Sequence, residues 1–149
     1  MRPPGCSAAI AVRLAILAVA LAAVPALGAP AVAQTERETA AAAEPIMRQL
    51  EAFRADDYEA AYAFASSKIR RMFDRPAFEH MVKSGYPEIA RSTFAVVAGS
   101  EAAPDGHMLI RIRIRGANGN SVEALYDMVR EPAGWRINGV VTRPDPGLV

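Results

Sequence analysis

The sequence predicts an α+β domain in which three N-terminal helices pack on one face of a four-stranded antiparallel sheet. Before residue 92 apolar residues recur at helical spacing, and after it they alternate with a period of about two. Helices followed by strands is the order typical of this fold class. The strands are expected at 92–101, 106–116, 121–131 and 134–143. The links "APD", "ANGN" and "PAG" are short and form turns, so neighbouring strands should pair as a meander.

Residues 1–33 have the composition of a secretory signal peptide. A basic start with Arg2 and Arg13 precedes the apolar run 14–27, and the small residues "AVA" occupy 31–33. We expect cleavage after Ala33 and export to a bacterial periplasm. The less favoured alternative is an uncleaved membrane anchor. A helix that spans a membrane needs about 20 apolar residues, and the run 14–27 is shorter than that. No membrane span is expected once this segment is removed.

The mature chain, residues 34–149, is expected to be one domain from residue 44 onward. Residues 34–43 are polar and rich in alanine, which indicates either a flexible lead-in or a frayed extension of the first helix. Cys6 lies within the signal segment, so disulfides and cysteine nucleophiles are excluded from the mature chain. The whole chain has 17 basic and 16 acidic residues, a balance that excludes a typical nucleic-acid binder.

Start signals divide the N-terminal half into helices. The first helix is expected to begin near Pro45, since proline fits the first turn of a helix. Asp56 with Glu59 has the spacing of a capping box for the second helix. A short helical turn is expected at 67–73. Asp74 is expected to cap a third helix that Gly85 ends, with an inward face formed by Phe78, Met81 and Val82.

The stretch "MLIRIRIRG" alternates isoleucine and arginine, which indicates a strand with an apolar face and a charged face. Acidic residues of the next strand can meet these arginines if Arg115 faces Glu123 and Arg111 faces Asp127. Arg113 then faces Leu125 and is the best candidate for a contact with an anion. This register requires a loop of three or five residues centred on Gly119, with an asparagine in the left-handed conformation.

The sequence contains no motif that specifies a reaction, a metal or a cofactor. Its two histidines are far apart and lack the spacing of metal ligands. His80 lies beside the apolar face of the third helix. It is either a proton-handling group or a hydrogen-bonded residue at the boundary of the core, and the pattern is consistent with both roles. Tyr126 and Trp135 stand on the predicted inner face of the sheet, and Tyr62 stands on the stripe of the second helix. These four residues are the candidates for lining a pocket.

Three segments, "AFRADDYEAAYAFAS", "FEHMVKSGYP" and "GWRINGVV", resemble an uncharacterised family of exported bacterial domains. The resemblance covers about residues 44–142. The profile is similar to the nuclear-transport-factor-two-like (NTF2-like), or cystatin-like, superfold. It implies three helices packed in the curve of a bent sheet, which forms a cone with a pocket. Enzymatic members of the superfold carry an acid or histidine dyad deep in the cone, whereas this chain offers His80 and no evident Asp–His pair.

Two functions compete at this point. The first is a non-catalytic periplasmic module that binds a small apolar ligand or an envelope protein. The alternative is a small isomerase or hydrolase in which His80, with Tyr126, handles protons in the cone. A minor third hypothesis assigns the arginine face to anionic envelope lipid or polymer. The resemblance also suggests a homodimer formed through the sheet, whose outer face carries Leu109, Leu125 and Val129.

Overall fold

A computed structural model describes residues 31–145 and residue 147. The predicted signal peptide therefore lies outside the described residues, apart from 31–33. Five helices precede four strands: α1 Ala31–Arg54, α2 Tyr58–Ala63, α3 Ser67–Met72, α4 Arg75–Gly85, α5 Pro87–Ala90, β1 Ser92–Ala102, β2 Met108–Gly116, β3 Ser121–Glu131 and β4 Gly134–Pro144. The strands form one antiparallel sheet in the order β1-β2-β3-β4. The predicted α+β meander is confirmed. The short helical turn predicted at 67–73 is α3, and α5 is a further short helix that was not predicted.

Helix α1 starts earlier than the proline signal indicated. It contains residues 34–43, and Pro45 lies in its interior rather than in its first turn. An interior proline costs a helix about 3 kcal/mol, since it removes a hydrogen bond and its ring crowds the preceding turn. Packing offsets that cost here, because Ala42, Ala43 and Ile46 around the proline are all buried. Within the described residues, no helix is both long and apolar enough to cross a membrane.

The N-cap of α2 is Asp57, so the predicted capping box at Asp56 is wrong. The Asp57 carboxylate accepts a hydrogen bond from the Ala60 N–H at 2.9 Å. Asp56 has a left-handed backbone with φ 57°, and its carboxylate pairs with Arg91 at 2.8 Å. The chain therefore turns at Asp56 before the helix starts. The cap of α4 is as predicted, with Asp74 accepting from the Ala77 N–H at 2.9 Å.

Strands β2 and β3 pair two residues away from the predicted register. Arg113 faces Glu123, and Arg111 faces Leu125. The turn has three residues, 117–119, closed by the Gly116 N–H donating to the Asn120 carbonyl at 2.9 Å. The odd loop length is confirmed, so the two faces are as predicted, but the loop is centred on Asn118 and not on Gly119. Its left-handed residue is Gly119 with φ 83°, and no asparagine among the described residues has a positive φ.

The core lies between α1 and the inner face of the sheet. Ile110, Ile112 and Ile114 of β2 are all fully buried. Ile46, Leu50 and Phe53 of α1 cover them, and Ala124, Tyr126 and Met128 of β3 extend the same face. Strand β4 has a bulge, because Asp127 pairs with Gly139 whereas Met128 pairs with Ile137. Bulges of this kind bend a strand and redirect its side chains.

Candidate functional site

A cavity of about 160 Å³ lies between the helices and the β3–β4 half of the sheet. Four helices and two strands contribute to its wall, together with Ala65 of the segment between α2 and α3. The lining residues are Gln49, Phe53, Ala65, Ile69, Phe78, Met81, Val82, Tyr86, Ile89, Tyr126, Ile137, Gly139 and Val140. Several of them, including Ile69, Met81 and Val140, are only partly buried, so part of the wall reaches the surface.

The hydroxyl of Tyr126 is the most unusual polar group of this wall. Tyr126 is 1% exposed, and its hydroxyl has no hydrogen-bond partner among the described residues. Burial, with a smaller contribution from Tyr86, raises the pKa of Tyr126 far above its ordinary value of 10.0. The group therefore stays protonated and can donate a hydrogen bond. Buried polar groups without a partner are rare in proteins, and each one calls for an explanation.

Two other polar side chains of the wall already have partners. The Gln49 amide donates to the Ala61 carbonyl at 3.0 Å, which ties α1 to α2. The Tyr86 hydroxyl donates to the Val140 carbonyl at 3.3 Å, which ties the segment before α5 to β4. These bonds fix the wall on both sides of the cavity. Tyr126 is thus the polar group left for a molecule inside it.

Among the described residues, the lining includes no carboxylate, imidazole or charged nitrogen. A charged ligand would therefore lose its hydration without gaining a counter-ion. Of the titratable groups only Tyr86 and Tyr126 remain, and Tyr126 is held protonated. The arrangement can hold a neutral, largely apolar molecule beside Tyr126.

Of the sequence-predicted pocket residues, Tyr126 lines the cavity and Tyr62 does not. The Tyr62 hydroxyl donates to the Phe73 carbonyl at 2.6 Å and to the Arg70 carbonyl at 3.2 Å. Its ring packs on Phe78, with 5.3 Å between the ring centroids. Tyr62 therefore ties α2 to the end of α3 and to α4.

His80 is exposed and is not part of the cavity wall, so its prediction as a pocket residue is wrong. The reason is helical geometry. Phe78 and Val82 face the core, and His80 is two residues from each, about 200° around the helix. Its position next to Met81 in the sequence does not bring its ring to the apolar face.

Trp135 and Arg113 also lie away from the cavity. Trp135 is buried, but it borders a separate groove beside the β3–β4 turn. Arg113 is not the free arginine of the strand, because its guanidinium donates to the Asp145 carboxylate at 2.6 and 3.1 Å. The expectation that Arg113 is free of an acidic partner is wrong, and its contact with an external anion stays a prediction. This pairing raises the pKa of Arg113 and lowers that of Asp145.

The structure brings together an Asp–His pair that the sequence did not reveal. His107 Nδ1 lies 2.7 Å from Asp127 Oδ1, and the Asn138 amide donates to Asp127 Oδ2 at 2.7 Å. The predicted register placed Asp127 beside Arg111 and so concealed the pair. Neither residue lines the cavity, because Asp127 belongs to the face of β3 opposite the core. The pair therefore cannot serve as a dyad inside the cone.

Other cavity residues were also missed, and one of them had a signal. Gln49 follows Ile46 by three residues and precedes Phe53 by four, which places it on the buried stripe of α1. A polar residue on such a stripe usually has a specific partner. Tyr86 and Val140 had no comparable signal, because only the tertiary fold brings α5 and β4 together.

Comparison with known proteins agrees with this fold. The family model described as "Domain of unknown function (DUF4864)" matches residues 35–148. A crystal structure of an NTF2-like protein of unknown function from Shewanella baltica OS155 is similar, with a TM-score of 0.51 and 12% sequence identity. The similarity covers 80% of this chain and 100% of that one. No curated protein sequence matches the chain. The chain belongs to the DUF4864 family of domains of unknown function, and its fold is NTF2-like.

Proposed function

We propose that this domain is a non-catalytic binding module that holds a small, neutral, mostly apolar molecule between its helices and its sheet. The observation that carries the proposal is Tyr126, a residue of the cavity wall whose buried hydroxyl has no partner among the described residues. A ligand with one hydrogen-bond acceptor would supply that partner. The remainder of the wall is mainly apolar and matches an apolar body.

The size of the cavity limits the ligand. An engineered cavity of about 150 Å³ in another protein binds benzene, so 160 Å³ suits a molecule of about six to eight non-hydrogen atoms. Phenols and small cyclic ketones have the right size and one polar atom. A drug-sized ligand would need a pocket of at least about 300 Å³.

The competing enzyme hypothesis has less support. It required His80 in the cone, and His80 is on the opposite face of α4. Tyr126 cannot replace it as a general base, because burial raises its pKa and keeps it protonated. The arrangement therefore favours binding over proton transfer.

Titration calorimetry with phenol and toluene tests this function, because the two molecules differ mainly in one hydroxyl group. We expect phenol to bind more tightly. Tyr126→Phe should weaken phenol binding about fivefold, which corresponds to one hydrogen bond, and leave toluene binding unchanged. Tyr58→Phe is the matched control, since the Tyr58 hydroxyl is also buried and without a partner but lies outside the cavity wall.

A second variant locates the binding. Val140→Phe places a larger side chain at the cavity wall, so both ligands should bind more weakly to it. Absence of binding of either ligand, or binding that Val140→Phe leaves unchanged, would contradict the proposal.

We further propose that the module acts in the periplasm after export. The support is the signal-like composition of residues 1–33. Expression of the full-length chain in a Gram-negative bacterium tests this proposal. A mature protein that starts at Gln34 in the periplasmic fraction is expected. Recovery of the uncleaved chain from the cytoplasm would contradict it.

A further inference from the structure

A second recess, here called the hairpin groove, lies between α1 and the β3–β4 turn, away from the cavity. Its volume is about 430 Å³. Its lining residues are Ala41, Glu44, Pro45, Arg48, Phe64, Arg130, Ala133, Gly134, Trp135 and Arg136. The groove and the cavity share no lining residue, so the two recesses are independent.

The apolar part of the hairpin groove is built around Trp135. The indole is 7% exposed, and the guanidinium of Arg130 lies over its ring, 4.5 Å from the ring centroid. The indole N–H is buried and has no partner among the described residues. Phe64 and Pro45 border the same recess. The Arg130 side chain is 60% exposed, so the outer face of its guanidinium is suited to a flat aromatic group, since aromatic rings stack on guanidinium planes.

The polar part of the hairpin groove is mainly cationic. Three of its lining residues are arginines, against one carboxylate, Glu44. Arg48 pairs with Glu44 at 3.1 Å, and Arg130 pairs with Glu38 at 2.9 Å. All four of these side chains are at least half exposed. Exposed ion pairs of this kind contribute little stability, so an incoming anion can exchange with the carboxylates.

Pro45 adds a main-chain feature to the same wall. Proline has no N–H, so it cannot donate the helical hydrogen bond to the carbonyl of Ala41. Ala41 is exposed and is one of the lining residues. The wall therefore combines an aromatic surface and arginines with a carbonyl that lacks its usual helical donor.

From these contacts we propose that the hairpin groove binds an aromatic carboxylate, with its ring on the Arg130 guanidinium that covers Trp135 and its charge beside Arg48 and Arg136. The arginines favour an anion over its neutral analogue, because a guanidinium donates paired hydrogen bonds to a carboxylate. The Arg130 guanidinium would then lie between the bound ring and the indole. This ligand differs from the cavity ligand in charge, so the two sites are selective for different molecules.

The chain provides its own reporter, since Trp135 is its single tryptophan. 4-Nitrobenzoate and 4-nitrobenzamide both quench tryptophan fluorescence, and they differ only in the charged group. We expect saturable quenching by 4-nitrobenzoate, with a dissociation constant about tenfold lower than that of 4-nitrobenzamide. Linear quenching of equal strength by both compounds would overturn the proposal.

Matched arginine variants test the charged contact. Arg48→Gln should weaken 4-nitrobenzoate binding about fivefold and leave 4-nitrobenzamide unaffected. Arg75→Gln is the control, because Arg75 also lies on a helix and pairs with a glutamate four residues away, but outside the hairpin groove. Both positions are exposed, so neither change should unfold the protein. Equal effects of Arg48→Gln and Arg75→Gln would contradict a site at the groove.

The cavity variant separates the two sites. Val140→Phe changes the cavity wall and leaves the hairpin groove intact. Quenching by 4-nitrobenzoate should therefore be unchanged in Val140→Phe. Loss of saturable quenching in this variant would place the anion in the cavity and overturn the inference.

Discussion

At the scale of single residues, the proposed function depends most on Tyr126, whose buried hydroxyl has no partner among the described residues. The alternation of residues along β3 predicts that Tyr126 lies on the inner face of the sheet, and a buried tyrosine normally needs a hydrogen-bond partner for its hydroxyl. The structure places it there, with no such partner among the described residues. The sequence could not show this, since the partner of a buried hydroxyl depends on the packing of several elements.

Replacement of Tyr126 by phenylalanine should leave the free energy of unfolding unchanged or raise it by about 1 kcal/mol. The lost hydroxyl has no partner in the described part of the chain, so its removal relieves a desolvation penalty. Tyr62→Phe is the comparison, because it removes the donor to the Phe73 carbonyl and should cost about 1 kcal/mol. Urea unfolding measures both. A loss of more than about 1 kcal/mol in Tyr126→Phe would show that its hydroxyl is bonded within the free protein.

Asp145 gives the clearest expected pH dependence. The Arg113 guanidinium beside it holds the pKa of its carboxyl below the ordinary value of 3.8. A group whose pKa is lower in the folded state stabilises the fold above its unfolded pKa, and this contribution is lost as pH falls through the folded value. Asp145→Asn should therefore be less stable than wild type at neutral pH.

The difference between these two proteins should disappear under strongly acidic conditions. Urea unfolding at neutral pH and at a pH below the folded pKa of Asp145 tests this expectation. The Asp127→Asn change is not a suitable control, because Asp127 contacts both His107 and Asn138. A stability difference that stays constant with pH would show that the Arg113–Asp145 pair does not contribute through charge.

At the scale of secondary structure elements, the sequence was most informative where a pattern repeats. The alternation of apolar and polar residues located the ends of all four strands to within two residues. The turn between β2 and β3 had to contain an odd number of residues, because only then do the isoleucines share a face with the apolar residues of β3. The register itself was missed by two residues, because charge pairing favoured one odd register and the three-residue turn selected another. The side chain of Asn118 helps to fix that turn. Its oxygen Oδ1 accepts a hydrogen bond from the Asn120 N–H, and its nitrogen Nδ2 donates one to the Glu88 carboxylate.

Helix starts were less predictable, because adjacent residues competed for the same role. Asp56 and Asp57 both suit a cap, and the capping-box spacing selected the wrong one. Likewise Pro45 resembled a helix start, whereas buried alanines on its N-terminal side extend α1. Local signals of this kind are decided by tertiary packing, which a single sequence does not encode directly.

The cap of α2 yields a test between the two aspartates. Asp57→Ala should lower the free energy of unfolding by about 1 kcal/mol, as expected for the loss of an N-cap. Asp56→Gly should cost less, because glycine accepts the left-handed backbone and the lost ion pair with Arg91 is exposed. Thermal unfolding measures both variants. A larger loss for Asp56→Gly would restore the capping box at Asp56.

At the scale of the whole molecule, the outer face of the sheet is the surface that the predicted homodimer would use. Phe94, Val96 and Val141 on this face are 48%, 42% and 64% exposed. Arginines and glutamates lie among them, so a copy rotated by a twofold axis would present complementary charges. We expect a homodimer formed through this face.

Sedimentation velocity tests the oligomeric state. The protein should sediment as a dimer at micromolar concentration, and Val141→Glu should convert it to a monomer without loss of stability, since Val141 is exposed. Thr142→Glu is a suitable control, because this exposed residue pairs with buried Ala124 and so belongs to the opposite face. A monomeric wild-type protein would contradict the expected homodimer.

The central claim is that the cavity beside Tyr126 is a binding site for a small neutral molecule. The most direct test is a crystal structure of the protein soaked with 4-bromophenol, in which the anomalous signal of bromine locates the ligand. We predict one bromine peak inside the cavity, with the phenol oxygen within hydrogen-bonding distance of the Tyr126 hydroxyl. An empty cavity, or bromine found only at other surfaces, would contradict the account.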